Sequence, residues 1–103
     1  MKRSKFTVGE LVHHKLFDYR GVIIDVDAQF GLTDEWYDAV ARSRPPKDQP
    51  WYTVLPDGAT HETYVAERNL EHDESARAID HPELPQPLVR GPDGQYQRRG
   101  GWS

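Results

Sequence analysis

Apolar residues are nearly exhausted by Leu70. Of the 33 residues from Glu71 to Ser103, only eight are apolar: Ala76, Ala78, Ile79, Leu84, Leu88, Val89, Tyr96 and Trp102. A core has to come from the roughly 65 residues before them, and a domain of that size buries only about 60% of its unfolded surface. It needs a closed barrel, a wrapped tail or a second copy to gain more burial. Disulfides cannot help, because the sequence contains no cysteine. That also removes thiol catalysis and cysteine-ligated metal, and it fits a reducing compartment.

The pattern within the apolar segment is that of short strands. Val8 to His14 reads as a first strand, and Phe17 to Gly21 as a turn with Gly21 at a bend. Val22 to Asp27 is the clearest strand: alternation puts Val22, Ile24 and Val26 on one face, expected to be core, and Ile23, Asp25 and Asp27 on the other. Trp51 to Leu55 is a third strand. Pro56-Asp57-Gly58 is a turn with a mechanism: proline fixes its angle, aspartate bonds back and glycine takes a positive φ. His61 to Ala66 closes that hairpin, and Leu70 plugs the end.

One helix interrupts the strands, over about residues 33–43. Thr33 is its expected N-cap, Asp34 and Glu35 suit its dipole, and Trp36 and Val40 share a stripe with Tyr37 and Ala41 beside it. Arg42, Arg44, Pro45 and Pro46 end it. The fold class expected is mainly β: a small SH3-like barrel with one short inserted helix and a Pro/Gly-rich C-terminal tail. The expected division is a flexible N-terminus (1–5), a domain (6–72) and a tail (73–103) that is extended or partly disordered, with a turn signature at Gly91-Pro92-Asp93-Gly94 before Tyr96.

No segment reads as a signal or a membrane span. The longest apolar runs are Val22-Ile23-Ile24 and Ala39-Val40-Ala41, against the roughly seven residues a signal peptide needs and about 18 for a span. The expectation is a cytoplasmic protein. The net charge of −4 is segregated: +3 over residues 1–24, −5 over 25–38, +2 over 39–50, −5 over 51–75 and +1 over 76–103. Nucleic acid would have to be met by a local basic patch.

Few groups point to chemistry. His13 and His14 are adjacent on a strand and face opposite ways, while His61, His72 and His81 lack close spacing, so rim or surface histidines are favoured over a metal site. Asp25 and Asp27 share a strand face about 7 Å apart. They could serve as an acid/base pair, but a solvated face that discourages edge pairing is favoured. No nucleophile elbow or glycine-rich phosphate loop is present. No catalytic residue, cofactor or metal is expected.

Two clusters point to binding. His13, His14, Lys15, Tyr19 and Arg20, with Phe17, combine basic and aromatic groups that could track phosphates and stack bases. Against this stands an ordinary amphipathic loop with Phe17 in the core. Trp36, Tyr37 and Trp51, with Tyr52, are costly residues in a small chain and could anchor a protein partner or self-association, with core filling as the alternative use.

The segments Lys5 to His14, Phe17 to Asp27, Pro50 to Leu55 and Thr63 to Leu70 together resemble the heat-shock protein HspQ family, the YccV-like hemimethylated-DNA-binding proteins. The resemblance covers about residues 4–72 and is carried by the combination, not by Gly9 or Gly21 alone. It implies an SH3-like barrel in a bacterial cytoplasm and a stress-related regulatory role. That role is to modulate proteolysis of unstable or damaged proteins, including as a specificity factor for an ATP-dependent protease such as Lon. It also implies affinity for hemimethylated DNA. The partners expected are therefore such a protease or its substrates, with hemimethylated DNA as the alternative, no membrane, and room for a homo-oligomer. The resemblance carries over no catalytic residues.

Overall fold

The structure is a computed structural model and describes residues 4–41, 43–84 and 88–98. Residues 1–3 of the expected flexible N-terminus, Arg42 of the helix-ending cluster, Pro85, Pro87 and Trp102 lie outside the described residues.

The elements follow in the order β1 (Leu11–His14), β2 (Arg20–Asp27), α1 (Asp34–Val40), β3 (Trp51–Pro56), β4 (Thr63–Ala66), a single 3-10 turn (Glu67–Asn69), β5 (Leu70–His72), β6 (Leu88–Arg90) and β7 (Tyr96–Arg98). The first five strands form one antiparallel sheet in the order β4-β3-β2-β1-β5, and β6 pairs with β7. The expectation of a closed barrel is corrected: β4 and β5 are joined by the 3-10 turn but remain the two edges of an open sheet. No helix among the described residues is long and apolar enough to cross a membrane.

Both faces of the sheet are covered, which a small chain needs if its strands are to bury themselves. One face packs Val12, Ile23, Tyr52, Val54, Val65 and Leu70, one or two residues from each strand, beneath Phe6. On the other face, Leu11, Val22 and Leu55 meet Ile79 and Tyr96 from the segment after β5. Farther along that face, Trp51 and Ala66 meet Tyr37 of α1. The sparse apolar residues beyond Leu70 thus serve as a second layer: Ile79 and Tyr96 are buried. Tyr96 donates its backbone N–H to Gly9 O and accepts at its hydroxyl from Ile79 N.

The inner face of β2 differs from the alternation expected. Ile23 is fully buried, and Val26 shares its face. The cause is a register shift: Ile23 pairs with Val54 but Asp25 with Thr53, so Ile24 is an extra residue and the strand bulges there. Beyond the bulge the faces exchange, which turns Asp25 and Asp27 to the side of Trp51, Thr53 and Tyr64. Burying a side chain like Ile23 stabilises by about 1.5–3 kcal/mol, so the core fixes this register.

The helix starts where the cap requires. Thr33 Oγ1 accepts from Trp36 N at 3.1 Å, and Asp34 and Glu35 fill the first turn. Tyr37 is buried and donates its hydroxyl to Pro45 O at 2.6 Å. The chain leaves the helix through Ala41.

Candidate functional site

The described residues form a groove of about 870 Å³. It is lined by the consecutive residues Glu62 to Ala66 of the β4 segment. Successive side chains of a strand point to opposite faces, so a groove touching all five runs along the strand's outer edge. Its two walls come from the two faces. On the face of Tyr64 and Ala66 stand Trp36 and Val40 of α1, with Asp25, Asp27 and Trp51. On the face of Thr63 and Val65 stands the β1–β2 turn, with His14, Leu16, Phe17 and Tyr19.

The turn wall is built around His14. Its Nδ1 accepts from Leu16 N and Phe17 N, both at 3.1 Å, and its ring stacks between Phe17 (4.7 Å) and Tyr19 (5.1 Å). An imidazole accepting at Nδ1 is neutral, and burial, helped by the neighbouring His13 charge, lowers its pKa below the usual value. The Tyr19 hydroxyl shares a 2.7 Å hydrogen bond with Thr63 Oγ1, which ties the turn to β4. Burial raises the Tyr19 pKa, so it stays a neutral phenol.

The helix wall is aromatic. Trp51 stacks on Tyr64 at 5.3 Å, and Trp36 meets Tyr64 edge-on at 5.7 Å. The Tyr64 hydroxyl donates to Asp27 Oδ2 at 2.5 Å and accepts from Gly31 N at 3.0 Å. Burial first, and then the bond to Asp27, push its pKa well up. Of the residues expected as partner anchors, Tyr37 and Trp51 are 5% and 1% exposed, so they build the wall's interior. Trp36 is half-buried and reaches the groove.

Two members of the basic cluster are engaged by neighbouring acids. His13 Nε2 and Nδ1 lie 2.6 Å from Asp18 Oδ1 and 2.7 Å from Glu71 Oε2. The Asp18 bond, then the Glu71 bond, raise its pKa and so favour the imidazolium. Arg20 is 13% exposed at its side chain and donates from Nε to Asp73 Oδ2 at 2.8 Å, from Nη1 to Asp57 Oδ2 at 3.3 Å and from Nη2 to Arg77 O at 2.5 Å. Lys15 is exposed and has no ion pair among the described residues. Two of the five residues expected to meet a polyanion are thus already neutralised, and His14 carries no charge.

Phe17 corrects the reading that placed it in the core: it is 74% exposed. With Leu16 (57%), Leu32 (45%) and Val40 (55%) it completes the set of large apolar side chains that the described residues expose. All four line this groove, and among the described residues its charged lining is Asp25, Asp27 and Glu62, with no lysine or arginine. Sequence reasoning missed Leu16 and Leu32 as site residues. The available signal was Leu16-Phe17, two large apolar residues inside a turn that polar residues usually fill.

Asp25 and Asp27 do stand in a concave surface, as an acid/base pair would need. Asp27 is engaged by Tyr64, and Asp25 accepts from the Val26 backbone at 2.9 Å.

The family model described as hemimethylated DNA-binding protein YccV like matches residues 4–90. The match takes in the whole five-stranded sheet, α1 and both walls of the groove.

Proposed function

The chain belongs to the YccV-like family, and on that premise we propose that it is a non-enzymatic, stress-related regulatory protein. It binds proteins and modulates proteolysis of unstable or damaged chains, as a specificity factor or adaptor for an ATP-dependent protease such as Lon in the cytoplasm. One observation carries the reading: every large apolar side chain that the described residues expose lines a single groove, and the charged ones among the described residues there are all acidic. Contiguous exposed apolar surface marks an interaction site, and unfolded proteins present apolar segments. Three carboxylates in the same groove repel a phosphate backbone. The engagement of Asp27 by Tyr64 supports a binding role over acid/base chemistry. The strand order and the single 3-10 turn between β4 and β5 also support an SH3-like reading of the sheet.

Degradation rates of unstable substrates by such a protease, with and without this protein, test the proposal, together with pull-down of the protease. A changed rate for at least one substrate is expected. Identical rates throughout would overturn it.

The second reading is preference for hemimethylated DNA, favoured by the family's own description and by the exposed Lys15. It predicts affinity that falls steeply with salt, that Lys15→Ala weakens, and that differs between hemimethylated and unmethylated duplexes. Equal, feeble binding to both would dispose of it.

A further inference from the structure

We propose that the outer edge of β4 accepts an extended peptide as an added strand, with apolar side chains in the groove and a basic side chain toward Asp25, Asp27 and Glu62. The inference deepens the protein-binding reading above and rests on it.

The phase of the β3–β4 ladder decides which backbone groups are free. Glu67 N donates to Pro50 O at 3.0 Å, continuing the register Trp51↔Ala66, Tyr52↔Val65, Thr53↔Tyr64, Val54↔Thr63. Hydrogen-bonded and non-hydrogen-bonded pairs alternate in an antiparallel ladder. Val65 and Thr63 therefore bond inward to β3, and Tyr64 turns its N–H and C=O outward, as does Glu62 one step beyond. No turn or loop backbone bond among the described residues engages either residue. Glu62 is exposed and Tyr64 half-buried. At the other end the edge is closed: Ala66 is 2% exposed, and Arg68 donates to Ser43 O at 2.6 Å. The open edge thus spans the two outward-facing residues Glu62 and Tyr64.

An unpaired edge is a template for another strand, and proteins usually blunt it with charge, proline or a covering loop. Here the edge lies between two apolar walls. A strand laid against it alternates its side chains, one set against Phe17 and Leu16, the other against Trp36 and Val40. Main-chain bonds would supply affinity, and the walls would select apolar side chains. The charge complement is set by the lining: among the described residues, Asp25, Asp27 and Glu62 have no ion-pair partner and no lysine or arginine lines the groove. The occupant we commit to is therefore an extended, apolar peptide carrying a basic residue.

The probe is a fluorescein-labelled peptide of about eight residues, alternating valine and leucine with threonine, with one arginine. A second peptide carries glutamate for the arginine, and a third is N-methylated at alternate amides. Binding is read by anisotropy, and hydrogen exchange at Tyr64 by NMR, on the full chain. The arginine peptide is expected to bind and to slow exchange at the Tyr64 amide. N-methylation should weaken it about tenfold or more, since two main-chain bonds are lost. The glutamate peptide should bind more weakly, and Phe17→Asp or Val40→Asp, both at exposed positions, should weaken binding without unfolding the protein. Binding that is indifferent to N-methylation, with the Tyr64 amide unprotected, would overturn strand addition while leaving protein binding standing. So would changed degradation rates in the absence of any peptide binding. Equal affinity for the two charged peptides would overturn the charge complement. Displacement of the peptide by a hemimethylated duplex would overturn the choice of occupant.

Discussion

Replacing Arg20 by alanine separates a structural clamp from a DNA contact. The side chain is 13% exposed, its nearest partner Asp73 9% and Asp57 34%. Its three bonds join β2 to the β3–β4 turn and to the segment after β5. Removing one partner of a buried, hydrogen-bonded pair costs about 3–5 kcal/mol. Asp73 keeps its bonds from Ser75 Oγ at 2.9 Å and Ser75 N at 3.3 Å, and Asp57 is partly open to water. The loss for Arg20→Ala is therefore about 2–3 kcal/mol, below that range. With a urea slope of about 1 kcal/mol/M, the unfolding midpoint falls by about 2–3 M. The pH dependence follows from Asp73. Burial alone would raise its pKa, but the bonds from Arg20 and Ser75 outweigh that and hold it below 3.8. A carboxylate with a depressed folded pKa stabilises above its unfolded value and loses that contribution as pH falls through the folded one. Wild type and Arg20→Ala should therefore converge below pH 3.8. A midpoint shift under about 0.5 M in urea, with a large loss of duplex affinity, would refute the clamp.

Three further outcomes are expected. His13 has a raised folded pKa, so its contribution is full below 6.5 and is lost as pH rises through the folded value; both partners are half or more exposed, so the effect is about 0.5–1 kcal/mol. His13→Gln should flatten that part of the urea-midpoint profile against pH. Gly9→Ala should cost more than about 1 kcal/mol in thermal unfolding, because Gly9 sits at φ +97° and an added Cβ would run into the Tyr96 carbonyl. Tyr52→Phe should cost about 1.5–3 kcal/mol: its hydroxyl donates to Glu67 Oε2 at 2.6 Å and accepts from Phe6 N at 3.3 Å, and amide exchange at Phe6 should quicken.

Local signals in the sequence located most elements. Thr33 caps the helix because an N-cap bond spans only three residues, and β2 and β3 stand out because they are rich in β-branched and aromatic residues. The face of β2 was not legible. Both of its faces are buried under different layers, so alternation cannot rank them, and the bulge at Ile24 exchanges them midway. The open sheet edge depends on how the strands bend after the 3-10 turn, which no short window encodes. At the site, the cluster of basic and aromatic residues was visible, but its neutralisation was not: Arg20 finds Asp57 and Asp73, 37 and 53 residues away. An amphipathic loop would place Phe17 in the core, whereas the turn built on His14 holds it outward.

On the function proposed, the apolar groove acts on protein turnover. Its most direct test is the degradation rate of an unfolded substrate by an ATP-dependent protease, measured with no addition, with the wild-type protein and with Val40→Asp. The wild type is expected to change the rate, and Val40→Asp, still folded, to leave it near the protein-free value. A rate unmoved by the wild type, or moved equally by both proteins, would contradict it.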